Sequence, residues 1–207
     1  MFAPAVIERR PNGYVMTDDG GRAGWNWSEL DLVDENMGGA PLAQRDALKL
    51  LAVFMQHTDT KREQQRLWCL PGGLDADGQC ARPYLMLHDV GLTFGHANAF
   101  NAAGSASVDL DTWARTPIWK DADACVGHLR KSITGTLENP RISEAGRLFL
   151  ANLLVQLSDP QLYDLFEVAG VERDTERESV SADRGIGEWV AAFKHKRDEI
   201  VLAHCPR

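Results

Sequence analysis

One strongly apolar helix, followed at once by a polar loop, constrains the fold of this chain more than any other part of its sequence. Residues 44–56 repeat apolar side chains at helical spacing, on most sides of the predicted helix. The apolar residues are Ala47, Leu48, Leu50, Leu51, Val53, Phe54 and Met55. We therefore predict a buried central helix that ends at His57-Thr58-Asp59. A loop held by such a rigid element positions its side chains well.

A predicted β-hairpin follows this loop. Residues 66–70 and 83–87 are β-prone, and the segment between them holds Pro71-Gly72-Gly73 and Asp77-Gly78, which are typical turn residues. The second strand leads directly into His88-Asp89-Val90-Gly91. The order is therefore helix, polar loop, hairpin and second polar loop.

The residue types in these two loops suit phosphoryl transfer. This reaction needs a carboxylate that orients the attacking hydroxyl, a cation near the moving phosphate, and oxygen ligands for magnesium. Asp59 can provide the first, and Lys61 can reach the same cleft as the cation. Gln64 offers an amide oxygen and Asp89 a hard carboxylate, both suited to Mg²⁺. Gly91 permits the sharp turn that aims Asp89.

The two loops resemble motifs of protein-kinase-like enzymes. Asp59-x-Lys61-x-x-Gln64 is similar to the catalytic loop D-x-K-x-x-N, and Asp89-Val90-Gly91 is similar to the D-x-G metal loop. The resemblance is closest to atypical kinases of the phosphoinositide-kinase-like and HipA-like groups. It implies an α+β, mainly helical C-lobe with small β-hairpins, and the cofactors ATP and Mg²⁺. It also implies that Asp59 and Lys61 are catalytic, that Lys61 and Gln64 contact the nucleotide, and that Gln64 and Asp89 bind the metal.

The chain departs from the kinase pattern in several places. Gln64 stands where the family has Asn, with Gln65 as a possible replacement ligand, and Val90 stands where Phe is usual. Most of an N-lobe is missing before Asp59, and Lys49, inside the predicted helix, is the only lysine there. The resemblance therefore implies a missing N-lobe or a partner chain that supplies it.

The resemblance also suggests how the chain is organised. Residues 1–40 are predicted to be a remnant N-lobe hairpin, with strands at 5–7 and 14–16, and a hinge-like segment. Residues 41–207 are predicted to be the helical C-lobe, with a mobile loop at 171–187. Three patterns predict its other features: a helix from Ser143 to about 157, a helix with N-cap Asp159 ending at Gly170, and a helix at 189–203. His96, Asn98 and Asn101 follow the metal loop, either as cleft residues or as turn residues.

Composition limits the partners and the compartment. The formal net charge of −8 argues against nucleic acid as a partner, and no apolar run is long enough to span a membrane. The expected partners are a nucleotide and an acceptor of unknown class. No signal peptide is visible, which indicates the cytoplasm by default. Cys69 and Cys80 flank the predicted hairpin turn, and a disulfide between them would indicate export.

Two other functions are compatible with the same residues. The first is a catalytically inactive kinase-like binding or regulatory module, which the missing lysine favours. The second is a metal phosphohydrolase of the HD type, built from His57, Asp59, His88 and Asp89. That family places its His-Asp pair on a helix, whereas His88-Asp89 follows a strand-like run here.

Overall fold

The computed structural model describes residues 11–18, 20–95, 108–171 and 185–206. The fold is α+β and mainly helical with small antiparallel sheets, as predicted. The helices are α1 (Leu42–Met55), α2 (Leu110–Arg115), α3 (Glu144–Leu154), α4 (Asp159–Ala169) and α5 (Ile186–Leu202). The strands are β1 (Tyr14–Val15), β2 (Gln65–Cys69), β3 (Pro83–Leu87), β4 (Trp119–Asp121) and β5 (Val126–Gly127).

Helix α1 is the buried central helix that its apolar pattern predicts. It ends at Gln56, which adopts a left-handed conformation with φ 55°. Such a residue is commonly glycine, because a Cβ is disfavoured there. The Gln56 amide compensates by donating hydrogen bonds of 2.9 Å to the carbonyls of Val53 and His128. The chain therefore leaves α1 in a fixed direction, which positions the loop that follows.

Helices α1 and α3 cross very closely. The crossing point is Gly146 of α3, where a built Cβ would lie only 2.4 Å from the Cβ of Asp46. Asp46 is buried, and its carboxylate accepts a 3.0 Å hydrogen bond from the backbone N–H of Ser143, the N-cap of α3. One carboxylate on α1 thus stabilises the start of the helix that packs against it.

We expect Gly146→Ala to destabilise the fold by about 1–3 kcal/mol, because the added methyl has no room at this crossing. The matched control is Gly187→Ala in the first turn of α5, where the built Cβ meets only the Tyr163 hydroxyl at 3.4 Å. That variant should be neutral or slightly stabilising. Urea unfolding of both variants measures the difference. Equal stability of the two variants would contradict the close crossing.

An aromatic cluster joins the helices behind α1. Trp113 stacks on Trp189 with ring centroids 5.7 Å apart, and Phe54 meets Trp113 edge to face at 5.9 Å. Lys196 is fully buried beside them, and its ammonium donates a 2.6 Å hydrogen bond to the Thr116 carbonyl. Burial lowers the pKa of Lys196 to about 8, although the Glu199 charge opposes this shift. Lys196 belongs to α5, and its side chain reaches the end of α2, which explains its burial.

The sheet order is β1-β2-β3, and β2 and β3 form the predicted hairpin. A disulfide joins Cys69 to Cys80 across the hairpin, as the sequence allowed. Strand β1 pairs with β2, with Tyr14 opposite Cys69, and the strand predicted at 5–7 lies outside the described residues. Trp25, Trp27 and Leu30 belong to the same buried core as α1. The division at residue 40 stays a prediction.

Two boundaries in the structure differ from those predicted from the sequence. The N-cap of α4 is Ser158 rather than Asp159, because Ser158 forms a capping box with Gln161. The predicted mobile loop 171–187 extends too far, since Ile186 and Gly187 already belong to α5. Residues 172–184 lie outside the described part of the chain, as do His96, Asn98 and Asn101.

A second disulfide, Cys125–Cys205, was not predicted. It joins the turn between β4 and β5 to the segment after α5, across a sequence separation of 80 residues. Two disulfides are compatible with an exported protein. Among the described residues, none of the helices combines the length and the apolar character needed to cross a membrane.

Candidate functional site

The loop after α1 is buried and is held by backbone hydrogen bonds from a distant segment. His57, Thr58, Asp59 and Thr60 are each at most 5% exposed. The Thr60 carbonyl accepts hydrogen bonds from the Thr136 backbone N–H at 3.1 Å and from the Thr136 hydroxyl at 2.7 Å. The Thr58 carbonyl faces the Ser132 N–H at 3.4 Å. The polar loop is therefore a rigid part of the fold.

Asp59 lies beside the two residues with which the sequence grouped it. Its Oδ2 atom accepts a 2.7 Å hydrogen bond from Gln64 Nε2 and lies 3.3 Å from Lys61 Nζ. The Asp59 side chain is 8% exposed, and that of Lys61 is 34% exposed. The lysine thus extends from a buried carboxylate toward solvent. This arrangement places a cationic group at the surface directly beside a buried carboxylate.

The second polar loop begins at the same place. The backbone carbonyl of Gln64 accepts hydrogen bonds from the N–H of His88 at 2.8 Å and from the N–H of Asp89 at 3.3 Å. The Thr58 hydroxyl approaches the Leu92 carbonyl at 3.5 Å, and the Phe94 N–H donates to the Met55 carbonyl at 2.7 Å. Both loops predicted to carry chemistry are therefore joined along their lengths.

His57 opens the first loop and lies within electrostatic range of the second loop. Its ring is fully buried, and neither ring nitrogen makes a hydrogen bond of good geometry within the described residues. Burial lowers the pKa of His57, and the charges of Asp59 and Asp89 and the backbone of Gly91 oppose that shift. The imidazole is thus within electrostatic range of both carboxylates.

Asp89 is exposed, and its direction is set by a local turn. Its Oδ1 atom accepts a 2.8 Å hydrogen bond from the Gly91 N–H. Leu92 and Phe94 then adopt left-handed conformations, with φ 54° and 55°. Bulky residues rarely do so, and such strain persists only where surrounding contacts hold it. The hydrogen bonds from the Thr58 hydroxyl and to the Met55 carbonyl are contacts of this kind.

The two predicted metal ligands are close to each other along the backbone. Gln64 and Asp89 are adjacent through the Gln64 carbonyl, and both carry the oxygen atoms that Mg²⁺ prefers. The Gln64 amide nitrogen is used by Asp59, which leaves the amide oxygen as the end available to a cation. Gln65 does not provide a substitute ligand. It is fully buried. Its neighbours fix the orientation of its amide, so that the amide oxygen accepts a 2.6 Å hydrogen bond from Trp27 Nε1.

Lys49 is committed to other contacts. It is 7% exposed, and its ammonium lies 2.5 Å from Asp31 and 3.3 Å from Asp46. It borders an open cleft that is also lined by Trp27, Glu138 and residues 139–143, but by none of the four predicted site residues. Its ammonium is thus held by two carboxylates beside a cleft that the predicted site residues do not line.

Within the described ranges, no three His, Cys, Asp or Glu side chains are grouped so that they could hold a metal ion. A site of the HD type needs such a group, and His88-Asp89 follows strand β3 rather than lying on a helix. The hydrolase alternative stays a prediction.

Sequence reasoning missed the segment 128–137, which contacts the loop of Asp59 from about 75 residues further along the chain. It contains no recognisable motif, and its only local signal is the basic run His128-Leu129-Arg130-Lys131. Comparisons of the chain with protein-family models, with curated proteins and with solved structures find no match.

Proposed function

We propose that the chain is a kinase-like phosphotransferase that uses ATP and Mg²⁺ at the site formed by residues 57–64 and 88–91. One observation carries the proposal. The Gln64 carbonyl accepts hydrogen bonds from the start of the second loop, so that Asp59 and Asp89 both lie within electrostatic range of the buried His57. The loops that resemble the catalytic and metal loops are thus adjacent although 30 residues separate the two aspartates.

Asp59 is the group that orients the acceptor hydroxyl. Its carboxylate is buried and is held by Gln64 and Lys61, so it has one position from which to accept the hydroxyl proton. Lys61 is partly exposed beside it and compensates the negative charge of the transferred phosphoryl group. Gln64 and Asp89 supply oxygen ligands for Mg²⁺, which would neutralise charge on the nucleotide phosphates when bound.

The second candidate is the inactive kinase-like module, and the contacts of Lys49 favour it. Because Lys49 borders a cleft that Asp59 and Asp89 do not line, the described residues before Asp59 offer no lysine at the predicted site. Such a module would bind Mg-ATP without releasing ADP, or would need another chain to supply the missing lysine. Neither candidate function specifies the chemical class of the phosphoryl acceptor.

Binding of Mg-ATP tests the proposal. We expect Mg-ATP to raise the melting temperature of the oxidised protein by several degrees, as preferential binding to the folded state requires. Asp89→Asn removes a metal ligand at an exposed position and should reduce this shift by most of its size. Asp164→Asn, at an exposed position on α4, is the control and should behave as the parent. An equal shift in all three proteins, or none in the parent, would contradict the assigned site.

A further inference from the structure

We propose that Arg130 and Lys131 bind the phosphate chain of the nucleotide and so replace the lysine that a kinase N-lobe would provide. This inference rests on the proposed function. It assigns a phosphate-binding role to a segment that lies after the metal loop in sequence and outside both motifs.

The placement of this segment supports the inference. Ser132 donates its backbone N–H toward the Thr58 carbonyl at 3.4 Å, so Lys131 directly precedes a contact with the catalytic loop. A Cβ built on Gly135 would lie 2.9 Å from both the Lys131 Cβ and the Thr60 Oγ1. The base of the Lys131 side chain is therefore close to Thr60, which is adjacent to Asp59 and Lys61. A long, flexible lysine side chain can extend from there over the site.

The charges around the site also require further cations. A nucleoside triphosphate is an anion and is repelled by the carboxylates of Asp59 and Asp89, in a chain whose formal net charge is −8. Lys61, the one cation that the proposed function assigns to the phosphoryl group, also pairs with Asp59, and Arg62 pairs with Asp18 at 3.3 Å. By contrast, Arg130 and Lys131 are exposed, and neither forms an ion pair with another described residue. They are thus available to an anionic ligand.

Their surroundings are positive rather than neutralised. Burial is the main reason that the pKa of His128 is lowered, and the charges of Lys120, Arg130 and Lys196 lower it further. These cations therefore all lie within electrostatic range of His128, which raises the potential that an anion would meet there. The same segment contains the buried Ser132 hydroxyl, which has no hydrogen-bond partner among the described residues. A donor left unsatisfied is consistent with a segment adapted to a ligand.

Calorimetric titration with inorganic tripolyphosphate, in the presence of Mg²⁺, tests this inference without depending on turnover. We expect the parent to bind and Arg130→Ala/Lys131→Ala to bind at least tenfold more weakly, because an arginine fork and an ammonium both contact phosphate oxygens. The control is Arg115→Ala/Lys194→Ala, which removes the same charge from one exposed and one half-buried position elsewhere and should bind as the parent does. Lys131→Arg should retain binding. Circular dichroism checks that each variant is folded.

Failure of this inference can be distinguished from failure of the proposed function. Equal tripolyphosphate affinity in the parent and in the Arg130/Lys131 variant, or no binding by the parent, overturns the inference. If binding depends on these residues but the parent never releases ADP from Mg-ATP, the inference stands and the catalytic proposal fails. If ADP release persists unchanged in the variant, the catalytic proposal stands and the inference fails.

Discussion

Replacing Asp59 with Asn is expected to slow the release of ADP from Mg-ATP by about 10²- to 10⁴-fold, the usual contribution of a positioned general base. The substitution keeps the shape of the side chain and one oxygen that can accept from Gln64 Nε2. It removes the carboxylate charge beside Lys61, whose partly exposed ammonium can turn to water. We therefore expect the stability to change by only about 1 kcal/mol.

The measurement is the initial rate of ADP release by the oxidised protein, together with the affinity for Mg-ATP. Affinity should change little, because the proposal gives metal binding to Gln64 and Asp89 rather than to Asp59. Asp164→Asn again serves as the control for loss of a carboxylate elsewhere. An Asp59→Asn variant that releases ADP at the parental rate would show that this carboxylate does not perform the chemistry.

The largest expected effect on stability comes from the Cys125–Cys205 disulfide. Its loss, in Cys125→Ala/Cys205→Ala, should lower the free energy of unfolding by about 4–5 kcal/mol, because it closes a loop of about 80 residues in the unfolded chain. Both cysteines are buried, so the substitution also leaves space in the core. The chain end after α5 would no longer be attached to the turn between β4 and β5.

The other disulfide provides a matched comparison. Cys69 and Cys80 are separated by 11 residues, and the same model predicts a loss of about 3 kcal/mol for Cys69→Ala/Cys80→Ala. Urea unfolding of both double variants measures the difference. The longer loop should be the more costly one to open. The reverse order would show that strain or packing, rather than restriction of the unfolded chain, determines the contribution of these disulfides.

The features that the sequence could predict are those determined by local patterns. The helical spacing of apolar residues predicts α1, and two β-prone runs around Gly-rich turns predict the β2-β3 hairpin. The end of α1 is harder to predict. The left-handed conformation of Gln56 depends on a hydrogen bond from its side-chain amide to the His128 carbonyl, 72 residues away. No local pattern contains that partner.

The same reason separates the predicted part of the site from the missed part. Asp59, Lys61 and Gln64 are close in sequence, so their grouping follows from spacing alone. The contacts of Thr60 with Thr136 and the pairing of Cys125 with Cys205 join residues about 75–80 positions apart. The burial of His57 within electrostatic range of two carboxylates also depends on the packed fold. A helix end would equally suit an exposed histidine, because the helix dipole favours a positive charge there.

The central claim concerns where the nucleotide and its metal bind, and paramagnetic broadening in the NMR spectrum tests it most directly. Mn²⁺ can replace Mg²⁺ in the complex with ATP, and it broadens the signals of backbone amides close to it. We predict selective loss of the amide signals of residues 57–64 and 88–91, which Asp89→Asn should largely abolish. Broadening confined to the cleft beside Asp31 and Lys49, or no selective broadening at all, would contradict the account.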